Sequence, residues 1–387
     1  MWYYTSPQIV FGEEALDELD ELAGERALVV TDRTLVELGL VDQVTRHLRR
    51  AGIDTRIFDA VEPDPSLATV MVGKLEALAY QPDWIIGLGG GSPMDAAKAI
   101  WVLYELPDMQ PAEINPIVRL ELRRKARLVT VPTTSGTGSE VTWAIVLTDT
   151  AAQRKLGLGN RANTADIAIV DPALTVQMPP QLTADTGLDA LTHAVEGYTC
   201  TWHTDMTDGH CLRAVQLILQ YLPRAFADGQ DLAAREKMHN AATLAGLGFG
   251  NAMASLAHAA GHSLGAAFHI PHGRAVGLLL PYTIEFAAAE APERYADLAR
   301  LVGSAVDDPR DAGRRLAAHI RGLCARLDEP TALRDLGIAE ATFEASLERL
   351  AENTFNDTSI LTAARPPSYA EVLDLFRHAY NGREIEF

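Results

Sequence analysis

Cysteine is scarce in this sequence, with three residues among 387 and no CxxC pair. The sequence therefore indicates neither a disulfide framework nor a thiolate zinc knuckle, and a reducing compartment fits best. No apolar run approaches the roughly 18 residues that a membrane-spanning helix needs. The N-terminal segment lacks the basic and apolar regions of a signal peptide. We expect a cytoplasmic protein with no membrane partner.

Basic side chains are also fewer than acidic ones. The 33 Lys and Arg residues stand against 52 Asp and Glu, which gives a formal net charge of −19 with His neutral. Such a charge repels phosphate backbones, so we do not expect nucleic acid as a partner. The length and the hydrophobic content of 48% are sufficient for a large core, and the length favours two domains.

The first half of the chain alternates short β-type runs with amphipathic stretches. From about Ala27 to Val176 the apolar runs include ALVVTD, WIIGLGGG and RLVTV. This alternation is typical of a mostly parallel sheet that is covered by helices. We predict an α/β domain over residues 1–180.

The second half is rich in Ala, Leu, His, Glu and Arg, and its patterns are helical. We predict an all-helical domain over residues 181–387, with Thr183 as a candidate N-cap of its first helix. Turns and breaks between the helices are predicted at Gly229, Ser263, Pro281, Pro309 and Pro330.

A glycine-rich turn follows the strand-like run WII and precedes a helical pattern. Glycines at this place let a backbone approach a ligand, and the helix N-terminus attracts anions. The turn is therefore a candidate diphosphate cradle, although a triple glycine is often only a tight turn. The ordinary GxGxxG fingerprint fails at Ser92. The best acidic candidate for a ribose contact lies upstream, at Asp32, directly after ALVVT.

A second donor-rich segment, PTTSGTGSEV, begins at Pro132 after the strand-like run RLVTV. Its hydroxyl groups and glycines offer hydrogen-bond donors to phosphate without adding a net charge. The same residue types are also usual in solvated turns. Because ligands gather at the carboxyl ends of parallel strands, two such loops in one sheet favour a dinucleotide.

Histidines concentrate in the helical half. Asp189 and His193 are four residues apart, as are His258 and His262, so each pair lies on one helix face. His272 follows in the turn-like sequence IPHG. One carboxylate with several imidazoles suits Fe²⁺ or Zn²⁺. A single histidine on an Ala-rich helix is more often packed or exposed, but two pairs and the IPHG turn together favour a metal site.

These motifs resemble those of the iron-containing, group III alcohol dehydrogenases. The matching segments are GLGGGSPMDAAKA at 87–99, PTTSGTGSEVT at 132–142, the pair in DALTH, and His258-x3-His262-x9-His272-Gly273. The resemblance spans nearly the whole chain. It implies a dehydroquinate-synthase-like fold, in which an N-terminal α/β domain binds NAD(P), a helical domain holds the metal, and the active site lies in the cleft between them.

The resemblance also implies roles for individual residues. The implied metal ligands are Asp189, His193, His258 and His272, while His262 corresponds to a non-ligand active-site histidine. The implied cofactor contacts are Asp32, Gly89, Gly90, Gly91, Ser92, Asp95, Thr133, Thr134, Thr137 and Lys155. Asp64 stands where several relatives carry Asn. An acid at Asp32 repels a 2′-phosphate, so NAD is favoured over NADP.

We therefore expect an NAD-dependent, metal-dependent dehydrogenase of small primary alcohols or diols, which also reduces aldehydes. His262 is a candidate proton relay or, equally, a partner that only orients a ligand. A glycerol-dehydrogenase-like enzyme is an alternative, but such relatives resemble a three-ligand site. A lyase or cyclase of the dehydroquinate synthase type is another, for which Arg274 is the nearest basic residue. A non-enzymatic cofactor sensor or assembly protein is a third.

Two further expectations concern the pocket and the assembly. Four aromatic residues could set substrate size or could belong to the core: Trp143, Phe249, Phe268 and Tyr282. The segment from Trp2 to Phe11 is predicted to form a strand with exposed apolar edges. In the family that the sequence resembles, such a strand looks like a dimer-forming element, so we expect a homodimer or a larger homo-oligomer.

Overall fold

A parallel sheet organises the first half of the chain. The computed structural model describes residues 3–151, 154–304, 308 and 311–386, and the chain divides into unit 1, Met1–Gln177, and unit 2, Met178–Phe387. The described strands of unit 1 are β1 (Gln8–Phe11), β2 (Arg26–Val30), β3 (Asp54–Phe58), β4 (Trp84–Gly89), β5 (Arg127–Pro132), β6 (Ala144–Asp149), β7 (Arg154–Gly159) and β8 (Ile167–Val170).

The sheet has the strand order β1-β8-β5-β4-β2-β3, and every pair of neighbours is parallel. β6 and β7 form a separate antiparallel pair. The strand β4 is buried along its whole length, as expected for a central strand that is covered on both faces.

Helices cover this sheet because each carries an apolar face. They are α1 (Arg33–Glu37), α2 (Leu40–Arg50), α3 (Leu67–Tyr80) and α4 (Gly91–Glu105). In α2, Leu40, Val44 and Leu48 recur every four residues and are buried, whereas Arg49 and Arg50 are exposed. This spacing puts the apolar side chains on one side of the helix.

The strand order creates a crevice at one edge of the sheet. The chain passes from β2 outward to β3, returns to the other side of β2 as β4, and continues away to β5. The connections that leave β2 and β4 therefore run in opposite directions. Ligands of open α/β sheets bind at such a topological switch point, beyond the carboxyl ends of the strands.

Unit 2 is helical, as the sequence predicts. Its helices are α5 (Pro180–Thr199), α6 (Asp205–Ala227), α7 (Leu232–Asn251), α8 (Leu256–Phe268), α9 (His272–Ala287), α10 (Pro292–Leu301), α11 (Ala312–Arg326), α12 (Glu340–Asn356) and α13 (Tyr369–Asn381). The helix α5 is buried on nearly all sides and contacts α6, α7 and α9. Its small and apolar residues allow this central position.

Three local predictions in this half are wrong. The helix α5 begins at Pro180 with Pro179 as its N-cap, because Pro suits the first helical position. Thr183 therefore lies inside the first turn, where its hydroxyl donates to the carbonyl of Pro179. Ser263 lies inside α8, and its hydroxyl donates to the carbonyl of Leu350.

The third error concerns Pro281, which lies inside α9 rather than at a break. α9 packs against α5, α8 and α11, and this tertiary packing outweighs the local penalty of the proline. Gly229 and Pro330 do lie between helices. Pro309 lies outside the described residues.

The predicted N-terminal strand is shorter than expected. The strand β1 begins at Gln8, residues 3–7 are not in a strand, and Trp2 lies outside the described residues. β1 is an edge strand, and Phe11 at its end is 66% exposed. The expected self-association stays a prediction. None of the described helices is both long enough and apolar enough to cross a membrane.

Candidate metal centre and dinucleotide site

Three helices of unit 2 bring four predicted ligands together. Asp189 and His193 lie one turn apart on α5, His258 lies in the first turn of α8, and His272 is the first residue of α9. One ligand atom from each of these residues lies within 4.8 Å of the others. Separate parts of the sequence thus converge on one point.

Glycine allows the close approach of these helices. A Cβ atom at Gly273 would lie 2.1 Å from the carbonyl oxygen of Asp185 on α5, so only glycine permits α9 to begin so close to α5. Between α8 and α9, a Cβ at Gly261 would lie 2.6 Å from a side-chain carbon of Val276. The helix starts that carry His258 and His272 therefore depend on small residues.

The distances within the cluster suit a shared cation. The Oδ1 atom of Asp189 lies 3.6 Å from Nδ1 of His193, 3.7 Å from Nε2 of His258 and 3.3 Å from Nε2 of His272. Two nitrogen or oxygen ligands about 2.1 Å from a tetrahedral ion are about 3.4 Å apart. The observed separations are longer than normal hydrogen bonds and close to this value.

Unsatisfied buried atoms also indicate a missing partner. Within the part of the chain that the structure describes, Asp189 Oδ1 and His258 Nε2 are buried and have no hydrogen-bond partner. A buried polar atom without a partner is costly, and in native proteins it usually has an explanation such as an ion. The donor set of one carboxylate and three imidazoles therefore fits a borderline divalent metal.

Charged neighbours shift the pKa values of two residues in the cluster, Asp189 and His258. Burial alone would raise the pKa of Asp189, but the charges of His193 and His272 outweigh it and hold the pKa well below its usual value. Burial lowers the pKa of His258, yet the carboxylates of Glu196 and Asp189 overcome this effect and raise the pKa to about 10. Without a metal, these carboxylates thus favour positive charge on the imidazoles. A divalent cation that displaces the ring protons can supply the same positive charge.

Glu196 is a residue of this site that the sequence reasoning missed. It is buried on α5, and its Oε2 atom lies 2.6 Å from Nδ1 of His258. Glu196 follows Asp189 and His193 at the seven- and three-residue spacings that share a helix face. A further acid on the helix face that carries Asp189 and His193 is a signal that the sequence offers.

His262 does not belong to the four-donor cluster, but it is adjacent to it. Its ring stacks on that of His272 at a centroid distance of 5.1 Å. Its Nδ1 atom lies 2.7 Å from Oδ2 of Asp357, at the end of α12. Burial and neighbouring imidazoles lower the pKa of His262 despite this carboxylate. No local sequence pattern links Asp357 to a histidine 95 positions away.

The aromatic candidates of unit 2 divide between site and core. The ring of Phe249 stacks on that of His193 at 3.9 Å with an interplanar angle of 12°, so it lines the cluster. Tyr282 is fully buried, and its hydroxyl donates to the carbonyl of Thr331, so it belongs to the core. Phe268 is half-buried at the end of α8.

Arg274 is bound by two carboxylates. Its Nε atom lies 3.0 Å from Oδ1 of Asp185 and 3.1 Å from Oε2 of Glu329. Nη2 of the same guanidinium lies 3.2 Å from Oδ2 of Asp185. These two acids neutralise the nearest basic residue after the IPHG turn, so it is poorly placed to receive a phosphorylated substrate.

In unit 1, the residues of the predicted diphosphate cradle lie side by side. The N–H of Thr133 donates to the carbonyl of Gly89, which joins the two donor-rich loops. A Cβ at Gly90 would lie 3.4 Å from Oγ1 of Thr134, and one at Gly91 would lie 3.1 Å from Cγ2 of Thr137. The helix α4 begins here with Gly90 as its N-cap and with no side-chain cap, so its first N–H groups suit an anion.

Asp32 lies at the same switch point, after β2. It is the N-cap of α1, and its Oδ1 atom accepts the N–H of Leu35 at 3.0 Å. One carboxylate oxygen therefore has a structural role. The other accepts no hydrogen bond from the residues that the structure describes, so it can accept one from a hydroxyl group. Ser92, at the start of α4, accepts the N–H of Asp64 through its hydroxyl oxygen.

Two predicted cofactor contacts have partners within unit 1. The carboxylate of Asp95 accepts the N–H of Val146 and the hydroxyl of Ser139, so it holds α4 against neighbouring segments. The Nζ atom of Lys155 lies 2.7 Å from Oδ1 of Asp64. For Asp95 and Lys155, contact with a dinucleotide stays a prediction.

Comparisons with known proteins agree with this architecture. Residues 6–172 match the model described as iron-containing alcohol dehydrogenase, and residues 183–380 match its C-terminal counterpart, the Fe-containing alcohol dehydrogenase family. The chain belongs to the iron-containing alcohol dehydrogenase family. The resemblance inferred from the motifs and the expected fold class are therefore confirmed, and the protein is an alcohol oxidoreductase.

Individual members of the family are similar over the whole chain. A NADPH-dependent butanol dehydrogenase of Clostridium saccharobutylicum is 38% identical over 100% of both chains. The bifunctional aldehyde-alcohol dehydrogenase AdhE of Escherichia coli K12 is 39% identical over 96% of this chain, which spans 45% of that relative. The crystal structure of a 1,3-propanediol oxidoreductase has a TM-score of 0.93 and 36% identity, and covers 98% of this chain and 100% of its own.

Proposed function

We propose that the protein interconverts small primary alcohols or diols with their aldehydes, using NAD and a divalent metal ion, with Fe²⁺ as the native ion. The observation that carries this proposal is the four-donor cluster, in which Asp189 Oδ1 and His258 Nε2 are buried without partners among the described residues. Such atoms suit a metal better than they suit a packed core.

The bound groups would supply the chemistry, namely Lewis-acid polarisation of the substrate oxygen by the metal and hydride exchange by the nicotinamide. Asp189, His193, His258 and His272 would hold the metal. Phe249 stacks on His193 and restricts the orientation of that ring. The buried positions of three of the four donors exclude water from one side of the site.

His262 is the residue best placed to move a proton. Its Nδ1 atom faces Asp357. The contact with His262 lowers the pKa of Asp357 although burial opposes this, so Asp357 stays ionised and accepts a hydrogen bond from the N–H at Nδ1. The Nε2 atom then has a lone pair that can accept a proton and release it. Because its partner is Asp357 and not one of the four donors, the contacts favour a relay over a role in orienting a ligand.

The preference for NAD rests on Asp32. Asp32 follows β2 at the switch point, and β2 lies next to β4, the strand that leads into the glycine turn. A negative charge at this place can accept ribose hydroxyls and repels a 2′-phosphate. The name of the Clostridium relative includes NADPH, so nucleotide preference within the family has to be measured for each member.

The alternative activities have less support. A three-ligand polyol dehydrogenase leaves no role for His193, whose Nδ1 atom lies 3.6 Å from the carboxylate of Asp189. A lyase acting on a phosphorylated substrate requires positive charge near the metal, and Arg274 is already bound by Asp185 and Glu329.

The test is turnover after anaerobic reconstitution. Metal-free protein is loaded with Fe²⁺ or Zn²⁺, and oxidation of NADH is followed with a panel of short aldehydes. We expect turnover that depends on the metal and is weaker with NADPH. Absence of turnover with either metal would contradict the proposal, and equal turnover of the metal-free protein would contradict the role of the cluster.

A further inference from the structure

The buried carboxylate of Glu196 receives three hydrogen bonds from the start of the neighbouring helix α8. Its Oε2 atom accepts the N–H of Ser255 at 2.8 Å and lies 2.6 Å from Nδ1 of His258. Its Oε1 atom accepts the N–H of Ala257 at 2.5 Å. Glu196 itself is only 4% exposed. One side chain of α5 thus binds both the backbone and a ligand residue of α8.

The backbone contacts fix the position of α8. Its N-cap, Ser255, provides no side-chain hydrogen bond to the helix, so the carboxylate of Glu196 satisfies N–H groups that a cap would otherwise bind. A negative charge is also favourable at a helix N-terminus. Because His258 is the third residue of α8, its place relative to α5 depends on these contacts.

The contact with the ring fixes its tautomer. An ionised carboxylate only accepts hydrogen bonds, so Nδ1 of His258 has to carry the hydrogen in this contact. The lone pair of a neutral ring is then on Nε2, the atom that lies 3.7 Å from Oδ1 of Asp189. Buried imidazole ligands of metals commonly have such a carboxylate partner.

We propose that Glu196 is a positioning residue of the four-donor cluster: it holds α8 in place and orients His258 so that Nε2 faces the metal. This inference rests on the proposed function, because it assumes that the cluster binds a divalent cation. Glu196 does not enter the cluster itself, since its oxygens are used by Ser255, Ala257 and His258.

The substitution Glu196→Gln tests this role with little change in shape. An amide has one accepting oxygen, and its NH₂ group only donates. With the amide nitrogen in the place of Oε2, it would donate to Nδ1 of His258 and move the ring hydrogen to Nε2, which blocks that ligand atom. With the amide reversed, the N–H of Ala257 would face another donor.

Glu105 offers a matched control in unit 1. It is 6% exposed, and its carboxylate accepts the N–H groups of Arg124, Lys125 and Ala126. Glu105→Gln therefore removes a buried carboxylate that binds backbone in the same way, but it contacts none of the four donors. Any loss of stability from such a change is common to both variants.

The measurement is zinc affinity of the whole protein by competition with a chelator, together with the absorption spectrum of the Co²⁺-loaded form. We expect Glu196→Gln to bind zinc roughly 10- to 100-fold more weakly and to give an altered Co²⁺ spectrum. Glu105→Gln should keep the wild-type affinity and spectrum, even if its melting temperature falls as much as that of Glu196→Gln.

The outcomes separate this inference from the proposed function. If the wild type binds no zinc or Co²⁺, the proposed metal dependence is wrong, and so is the inference that rests on it. If the wild type binds zinc and Glu196→Gln binds it equally well with an unchanged spectrum, only the role of Glu196 is overturned.

A measurement on the wild type covers the case in which Glu196→Gln does not fold. Imidazole ¹H–¹⁵N NMR of the zinc-loaded protein reports which ring nitrogen carries the hydrogen, with His258 assigned by the signal that His258→Gln removes. We expect the hydrogen on Nδ1. A hydrogen on Nε2 would overturn the proposal.

Discussion

The Nδ1 atom of His262 lies 2.7 Å from Oδ2 of Asp357, and the other oxygen of this carboxylate accepts the N–H of Ser359. The contact orients the ring from the side opposite Nε2. It is the same arrangement that Glu196 provides for His258 four residues earlier on α8. Two histidines on one helix face thus have separate carboxylate partners, and only His258 belongs to the four-donor cluster.

The first prediction concerns this pair. Asp357→Asn removes the charge that fixes the hydrogen on Nδ1 of His262, so proton transfer should slow. We expect kcat to fall roughly 10- to 100-fold, while the metal content stays at the wild-type level. Asp231→Asn is the control, because Asp231 also caps a helix of unit 2 and is paired with Arg224. An unchanged kcat in Asp357→Asn would rule out the relay.

A second prediction concerns the choice of nucleotide. Asp32→Ser removes the negative charge but keeps an oxygen that can cap α1. We expect kcat/KM with NADPH to rise about tenfold or more, and kcat/KM with NADH to fall. The melting temperature should change little, which serves as the control for the cap. If NADPH is used no better after the substitution, another residue selects the nucleotide.

Neighbouring glycines in the cradle should respond differently to alanine. Gly89 has φ +148°, and a Cβ there would lie 2.6 Å from Pro93, so Gly89→Ala should destabilise the protein by about 1–3 kcal/mol. Gly90 has φ −75° and room for a Cβ. Gly90→Ala should fold normally and weaken NAD binding about tenfold, because the methyl group occupies the cradle. Normal NAD binding by folded Gly90→Ala would place the diphosphate elsewhere.

A pH-dependent contribution to stability is expected from Glu329. Burial and the nearby charge of Asp185 raise its pKa to about 7, although Arg274 opposes the shift. A carboxyl whose pKa is raised on folding stabilises the native state below its unfolded value of 4.5, and this stabilisation is lost as pH rises through about 7.

The measurement is the free energy of unfolding by urea at several pH values. Relative to Glu329→Gln, which does not titrate, the wild type should lose on the order of 2 kcal/mol between pH 5 and pH 8. The difference between the two proteins cancels the titration of groups that do not interact with Glu329. A constant difference across this range would show that Glu329 has an ordinary pKa in the folded protein.

Much of the candidate site follows from local sequence because helix spacing fixes which side chains share a face. The pairs Asp189–His193 and His258–His262 are each one turn apart, and the structure places them as this spacing requires. The sequence IPHG is turn-like, and the structure has a non-helical Pro271 followed by the start of α9 at His272. These predictions needed no knowledge of how the helices pack.

The remaining features depend on tertiary packing. Asp357 meets His262 only because α12 packs on α8, and no local pattern indicates that contact. Pro281 continues a helix because its neighbours bury it. The alternation of strands and helices predicted a parallel sheet, but the position of β4 between β2 and β5 comes from the structure.

The central claim is that four side chains of unit 2 bind one metal ion, and the most direct test is the metal content of His272→Ala beside that of the wild type. Both proteins are reconstituted anaerobically and desalted, and metal per chain is determined by mass spectrometry while NAD binding is titrated separately. We expect one ion per wild-type chain, loss of that ion in His272→Ala, and the same NAD affinity in both. A wild type without bound metal would show that the four side chains do not bind an ion, and a variant that retains the metal would show that His272 is not a ligand.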